Sequence, residues 1–88
     1  MTGRGIDTPP VFVVYSRRGC HLCELLCEEL EPLLHGRADI QVRDVDERPE
    51  WRAAYGERVP VVCCDGEEIC QYNLDRRAVL ERIAARDR

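Results

Sequence analysis

The stretch Val11-Phe12-Val13-Val14-Tyr15-Ser16-Arg17-Arg18-Gly19-Cys20-His21-Leu22-Cys23 passes from an unbroken apolar run into two cysteines three residues apart. Val11 to Tyr15, β-branched and aromatic throughout, reads as a strand covered on both faces inside a parallel sheet. The pattern after it predicts a helix from Cys20 to Leu34, with Leu22, Leu25, Leu26, Leu30 and Leu33 on one apolar stripe opposite Glu24, Glu28 and Glu31. Both cysteines then fall in the first turn of that helix. Free backbone N–H groups and the positive end of the helix dipole favour a thiolate there. Cys20 is the candidate nucleophile, and Cys23, on the same side of the turn, is the candidate resolving thiol.

Working outward, Ile40 to Val45 predicts a second strand at a sheet edge, and Pro49 to Tyr55 a short helix stopped by Gly56, with Trp51, Ala54 and Tyr55 on its buried side. Val59 to Cys64 and Glu68 to Tyr72 flank Asp65-Gly66, a pair suited to a two-residue hairpin because both residues accept positive φ. That turn predicts a register pairing Val61 with Cys70 and placing Cys63 and Cys70 on one face. Asp75 is a good N-cap for a last helix, stapled by Leu74 against Val79 and apolar along Leu80, Ile83 and Ala84. The predicted order is β-α-β-α-β-β-α, an α/β fold with a mixed four-stranded sheet. Residues 1–10, with Gly3, Gly5, Pro9 and Pro10, read as a flexible lead-in, and residues 11–88 as one domain.

The chain has 88 residues and a formal charge of −4, and all 13 of its basic residues are Arg. An acidic balance without a basic cluster argues against nucleic acid as a partner. Without Lys, the chain cannot form a Schiff base. No apolar run is long enough to span a membrane, and residues 1–10 lack the apolar core of a secretory signal, so a cytoplasmic location is expected. In a reducing compartment, six Cys point to redox or metal chemistry rather than a disulfide framework. One Cys-x-x-Cys is half of a common tetrahedral pattern, so no metal ligands are assigned. Cys27 reads as packing. Cys63, Cys64 and Cys70 read as buried hydrophobes, a second redox pair and metal ligands being the other readings.

A strand entering Cys20-His21-Leu22-Cys23 at a helix start, followed by Val59-Pro60 entering a hairpin, resembles the thioredoxin superfamily and its glutaredoxin branch above all. The run Tyr55-Gly56-Glu57-Arg58-Val59-Pro60-Val61 is similar to small bacterial glutaredoxin-like proteins. The resemblance implies thiol-disulfide exchange through Cys20 and Cys23, and a cis peptide before Pro60 whose neighbouring backbone pairs with substrate. Arg17, Arg18, His21, Val59 and Pro60 are the substrate-binding candidates. It also implies protein or small-molecule disulfides as partners, no bound cofactor, and glutathione or a thioredoxin-type reductase as electron donor. Where glutathione-binding relatives carry paired glycines, this chain has Cys70-Gln71-Tyr72-Asn73, although the acidic helix cap Asp75 is present. Two other readings stand beside this one. One is a non-catalytic module of the same fold binding an iron-sulfur cluster or zinc through Cys20 and a second ligand set, and the other is a protein-interaction domain.

Overall fold

The computed structural model describes residues 9–86, so most of the expected lead-in and the last two residues lie outside the described residues. In chain order the elements are β1 (Val11–Ser16), α1 (His21–Leu34), β2 (Asp39–Asp44), a single 3₁₀ turn (Val45–Glu47), α2 (Pro49–Tyr55), β3 (Val61–Cys64), β4 (Glu67–Gln71) and α3 (Arg76–Arg86). The sheet order is β2-β1-β3-β4. β1 and β2 pair in parallel, as a strand-helix-strand unit requires, and β3 and β4 add antiparallel neighbours.

Period-two alternation along the central strands sends side chains to two separate cores. On one face Phe12, Val14, Val62 and Cys64 pack with Leu26, Leu30 and Leu34 of α1 and Val79 and Ile83 of α3. On the other, Tyr15, Val61, Cys63 and Val45 are buried, with Trp51 and Tyr55 of α2 and Val59 packed against them. The three-layer sandwich explains why β1, as far as Tyr15, and β3 are apolar throughout. Tyr15 stacks on Tyr55 with centroids 4.0 Å apart and meets Trp51 edge-on at 5.8 Å, so these aromatics anchor α2 to the sheet.

Several sequence expectations shift here. The buried stripe of α1 is Cys23, Leu26, Leu30 and Leu34, while Leu22 and Leu25 are exposed. The apolar residues of this helix are spread over an arc wide enough to fit two phases, and packing under β1 selects the one containing Cys23. Ala54, Leu80 and Ala84 are also exposed, the last helix burying Val79 and Ile83 instead.

In the hairpin, Asp65 and Gly66 take positive φ of 53° and 81° as expected. The register nevertheless changes between Val62 and Cys63: Val62 opposes Cys70 and Cys63 opposes Glu68, leaving Ile69 as the extra residue of a bulge. One inserted residue reverses the facing of everything beyond it. Cys70 therefore joins the Cys64 side of the sheet, away from Cys63.

Candidate active site

The antiparallel pairing of β1 with β3 and of β3 with β4, together with the parallel pairing of β1 with β2, brings four chain segments to one end of the sheet. They are the loop leaving β1, the 3₁₀ turn after β2, the segment entering β3 and the segment leaving β4. The candidate site is built there.

In the loop leaving β1, the Cys20 N–H donates to the Arg17 carbonyl at 3.1 Å, closing a turn with Gly19 at φ 77°. A residue with a β-carbon is strained in that conformation, so glycine is the fitting residue. Cys20 is the N-cap of α1, and its Sγ accepts a hydrogen bond from the Cys23 N–H at 3.2 Å. Sulfur here takes the place that a serine or aspartate oxygen fills at ordinary helix starts. Cys20 and Cys23 are disulfide-bonded, with Cα atoms 5.2 Å apart. Cys23 is 4% exposed, whereas Cys20 is half-buried, so only Cys20 is open to attack an external molecule.

Opposite stands the segment entering β3, in which the Val59–Pro60 peptide is cis as the resemblance implied. Pro60 is buried and Val59 half-buried. The Pro60 carbonyl accepts from the Tyr72 N–H at 2.8 Å, which ties the end of β4 to the cis-proline. Neither backbone group of Val59 has a hydrogen-bond partner among the described residues. Tyr72 itself sits at φ 65°, and its hydroxyl lies 3.4 Å from the Glu57 carbonyl.

The charged candidates are disposed unevenly. Arg18 and His21 are exposed, and His21 Nδ1 lies 3.7 Å from Glu24 Oε1. Arg17 donates to both carboxylate oxygens of Asp46, at 3.0 and 3.2 Å, and to the Gly56 carbonyl at 3.1 Å. The Arg17 hydrogen bonds hold the Asp46 carboxyl below the usual carboxylate range. Arg58, just before Val59, donates to both oxygens of Glu68, to Gln71 and to the Ala54 carbonyl. Neither Asp46 nor Glu68 stands out in the sequence, because each partner lies at least ten residues away and only the fold joins them.

Burial pushes the Cys27, Cys63 and Cys70 thiols up, which suits packing and works against nucleophilic use. Among the described residues, no three His, Cys, Asp or Glu side chains are grouped to hold a metal ion. No described helix is long and apolar enough to cross a membrane.

Known proteins are similar to this chain in sequence and in fold. The chain is 32% identical over 81 residues to the uncharacterized proteins Mb0520 of Mycobacterium bovis and Rv0508 of Mycobacterium tuberculosis, covering 85% of this chain and 84% of each relative. Protein Ne2328 of Nitrosomonas europaea is similar in structure, with a TM-score of 0.78 at 30% identity over 93% of this chain and 98% of that one. A mutant thioredoxin from Halobacterium salinarum is similar with a TM-score of 0.64 at 27% identity, covering 96% of this chain and 80% of that one. The thioredoxin-like sandwich and the Cys-x-x-Cys helix start thus agree with the sequence match, in which the model of the Glutaredoxin-like domain (DUF836) spans residues 12–84, and the chain belongs to that family.

Proposed function

We propose that this protein is a thiol-disulfide oxidoreductase working through Cys20 and Cys23. In the reduced protein the Cys20 thiolate attacks one sulfur of a substrate disulfide and expels the other as a thiolate, which takes up a proton. A mixed disulfide on Cys20 results. The Cys23 thiol then loses its proton and attacks Cys20 Sγ, releasing the second substrate thiol and leaving the Cys20–Cys23 disulfide. Two electrons pass to the substrate in the cycle. A thiol reductant, either glutathione or a dithiol reductase, returns them, and no bound cofactor takes part.

The observation that carries this reading is the bond from the Cys23 N–H to Cys20 Sγ at the start of α1. It puts a donor on the attacking sulfur and the second sulfur one turn away. Unequal burial of the two cysteines supports the order of their roles, and the backbone of Val59, unpaired among the described residues, supports docking of an extended substrate segment beside the cis-proline. Arg18, His21, Val59 and Pro60 would border that segment. A cytoplasmic setting fits a cycle that runs toward reduction, because thiols are kept reduced there.

The test is a trap. With Cys23→Ser the mixed disulfide has no internal resolving thiol, so incubation with a disulfide-linked peptide should leave the peptide attached to Cys20 and removable by dithiothreitol. A variant that stays unmodified under conditions where free thiols exchange would refute the cycle.

A further inference from the structure

Arg17 carries the most extensive polar link between the cysteine turn and the rest of the site. Its carbonyl accepts the Cys20 N–H, while its side chain reaches two other segments. Nε and Nη2 grip the two carboxylate oxygens of Asp46, and Nη1 reaches the Gly56 carbonyl. Asp46 is itself held firmly. Its N–H donates to Asp44 Oδ1 at 2.9 Å, and Arg52 lies 3.3 Å from its Oδ1 and donates to its carbonyl at 3.3 Å.

Gly56 closes α2 and begins the five residues that end at Pro60. A β-carbon at Gly56 would lie 2.6 Å from the Arg52 carbonyl oxygen and 3.2 Å from Arg17 Nη2, so glycine fits the space where the end of α2 meets the guanidinium. The far end of the same segment is fixed by Arg58, through Glu68 and Gln71, to β4. The cis-proline segment therefore hangs between two guanidinium groups, one of which belongs to the cysteine turn.

We propose that Arg17 is a positioning residue: its fork on Asp46 and its bond to the Gly56 carbonyl fix the Cys20 turn against the Gly56–Pro60 segment, so that sulfur and docking strand meet a polypeptide disulfide as one preorganised unit. The inference rests on the exchange reading above and assigns Arg17 a task other than direct substrate contact. A guanidinium suits it because three nitrogens fixed in one plane reach both carboxylate oxygens and the carbonyl at once, a spread that the single nitrogen of an ammonium does not match. Substrates that need both halves of the site gain from the link. A small disulfide that needs only the sulfur gains little.

The experiment compares the reduced wild type with Arg17→Ala, Arg17→Lys, Asp46→Asn and the Arg17→Ala/Asp46→Asn double variant. Rates are measured on insulin, a polypeptide disulfide, and on 2-hydroxyethyl disulfide. Each variant should lose about tenfold or more on insulin, a loss in the range expected for misplaced reacting groups. The double variant should be no worse than the poorer single, and rates on the small disulfide should stay within about twofold of wild type. Equal losses on both substrates would point to a folding or charge effect and overturn the proposal. Full activity of Arg17→Lys would do the same, as would opposite effects of Arg17→Ala and Asp46→Asn. A wild type inert toward both disulfides would remove the exchange reading itself, and this inference with it.

Discussion

The Cys23 amide donates to the Cys20 sulfur over 3.2 Å, so the second cysteine supplies a backbone donor to the first as well as a thiol. In the proposed cycle the disulfide is reduced, and that donor and the helix start should then favour the thiolate form of Cys20. Alkylation of Cys20 with iodoacetamide, followed by mass spectrometry of its peptide, should show a half-point below the ~8.5 of an unperturbed thiol. Cys27, Cys63 and Cys70, whose thiols are pushed up by burial, should react only at higher pH. If Cys20 reacts no earlier than these three, the helix start does not activate it.

The phase of α1 gives a second prediction. Leu30 is fully buried among Phe12, Val14, Leu26 and Val79, whereas Leu25 is 42% exposed. Truncating a buried leucine removes apolar contact and leaves a cavity, so Leu30→Ala should cost about 2–5 kcal/mol. Leu25→Ala should change stability by less than about 1 kcal/mol. Urea unfolding of both variants checks this, and comparable losses would return Leu25 to the core.

What the sequence made legible follows from how local each signal is. Strand β1, the Cys20 helix start and the Asp65-Gly66 turn each depend on residues within a few positions of one another, and all three stand where the pattern put them. The bulge at Ile69 does not, because a two-residue turn fits a regular or a bulged ladder equally well and only packing chooses between them. The same holds for the leucines of α1, which offered two acceptable stripes. At the site, the two cysteines and Val59-Pro60 were readable as motifs. Asp46, Gly56 and Glu68 were not, since their roles come from arginines that the chain path brings to them.

Acid should reveal the ion pair behind the cis-proline segment. Arg58 donates to both oxygens of Glu68 and holds that carboxyl below the usual carboxylate range. A carboxyl depressed in the folded state stabilises it above the unfolded value, about 4.3, and the benefit disappears as pH falls through the folded value. Glu68→Gln should therefore melt roughly 1–5 °C below wild type at pH 7, a modest gap because the pair is partly exposed. The two curves should converge by about pH 3. A gap that persists in acid would mean that the loss is one of packing, not of charge.

Tyr72 offers the sharpest test of what the site admits. Its backbone lies at φ 65°, a conformation costing a residue with a β-carbon about 1–2 kcal/mol. Its N–H still serves the Pro60 carbonyl, a bond that glycine can make equally well. The residue is 42% exposed, and its hydroxyl bond to Glu57 is long, so little packing is lost when the side chain is removed. Tyr72→Gly should consequently keep stability within about 1 kcal/mol of wild type, relief of the backbone offsetting the lost ring contacts. It also removes the ring that stands beside the cis-proline, opening the backbone there to a small peptide. Turnover of a glutathionylated cysteine peptide should rise in this variant, while the rate on insulin stays the same or falls as an apolar contact disappears. A glutathione rate unchanged by Tyr72→Gly in a well-folded variant would show that the aromatic ring does not gate the site.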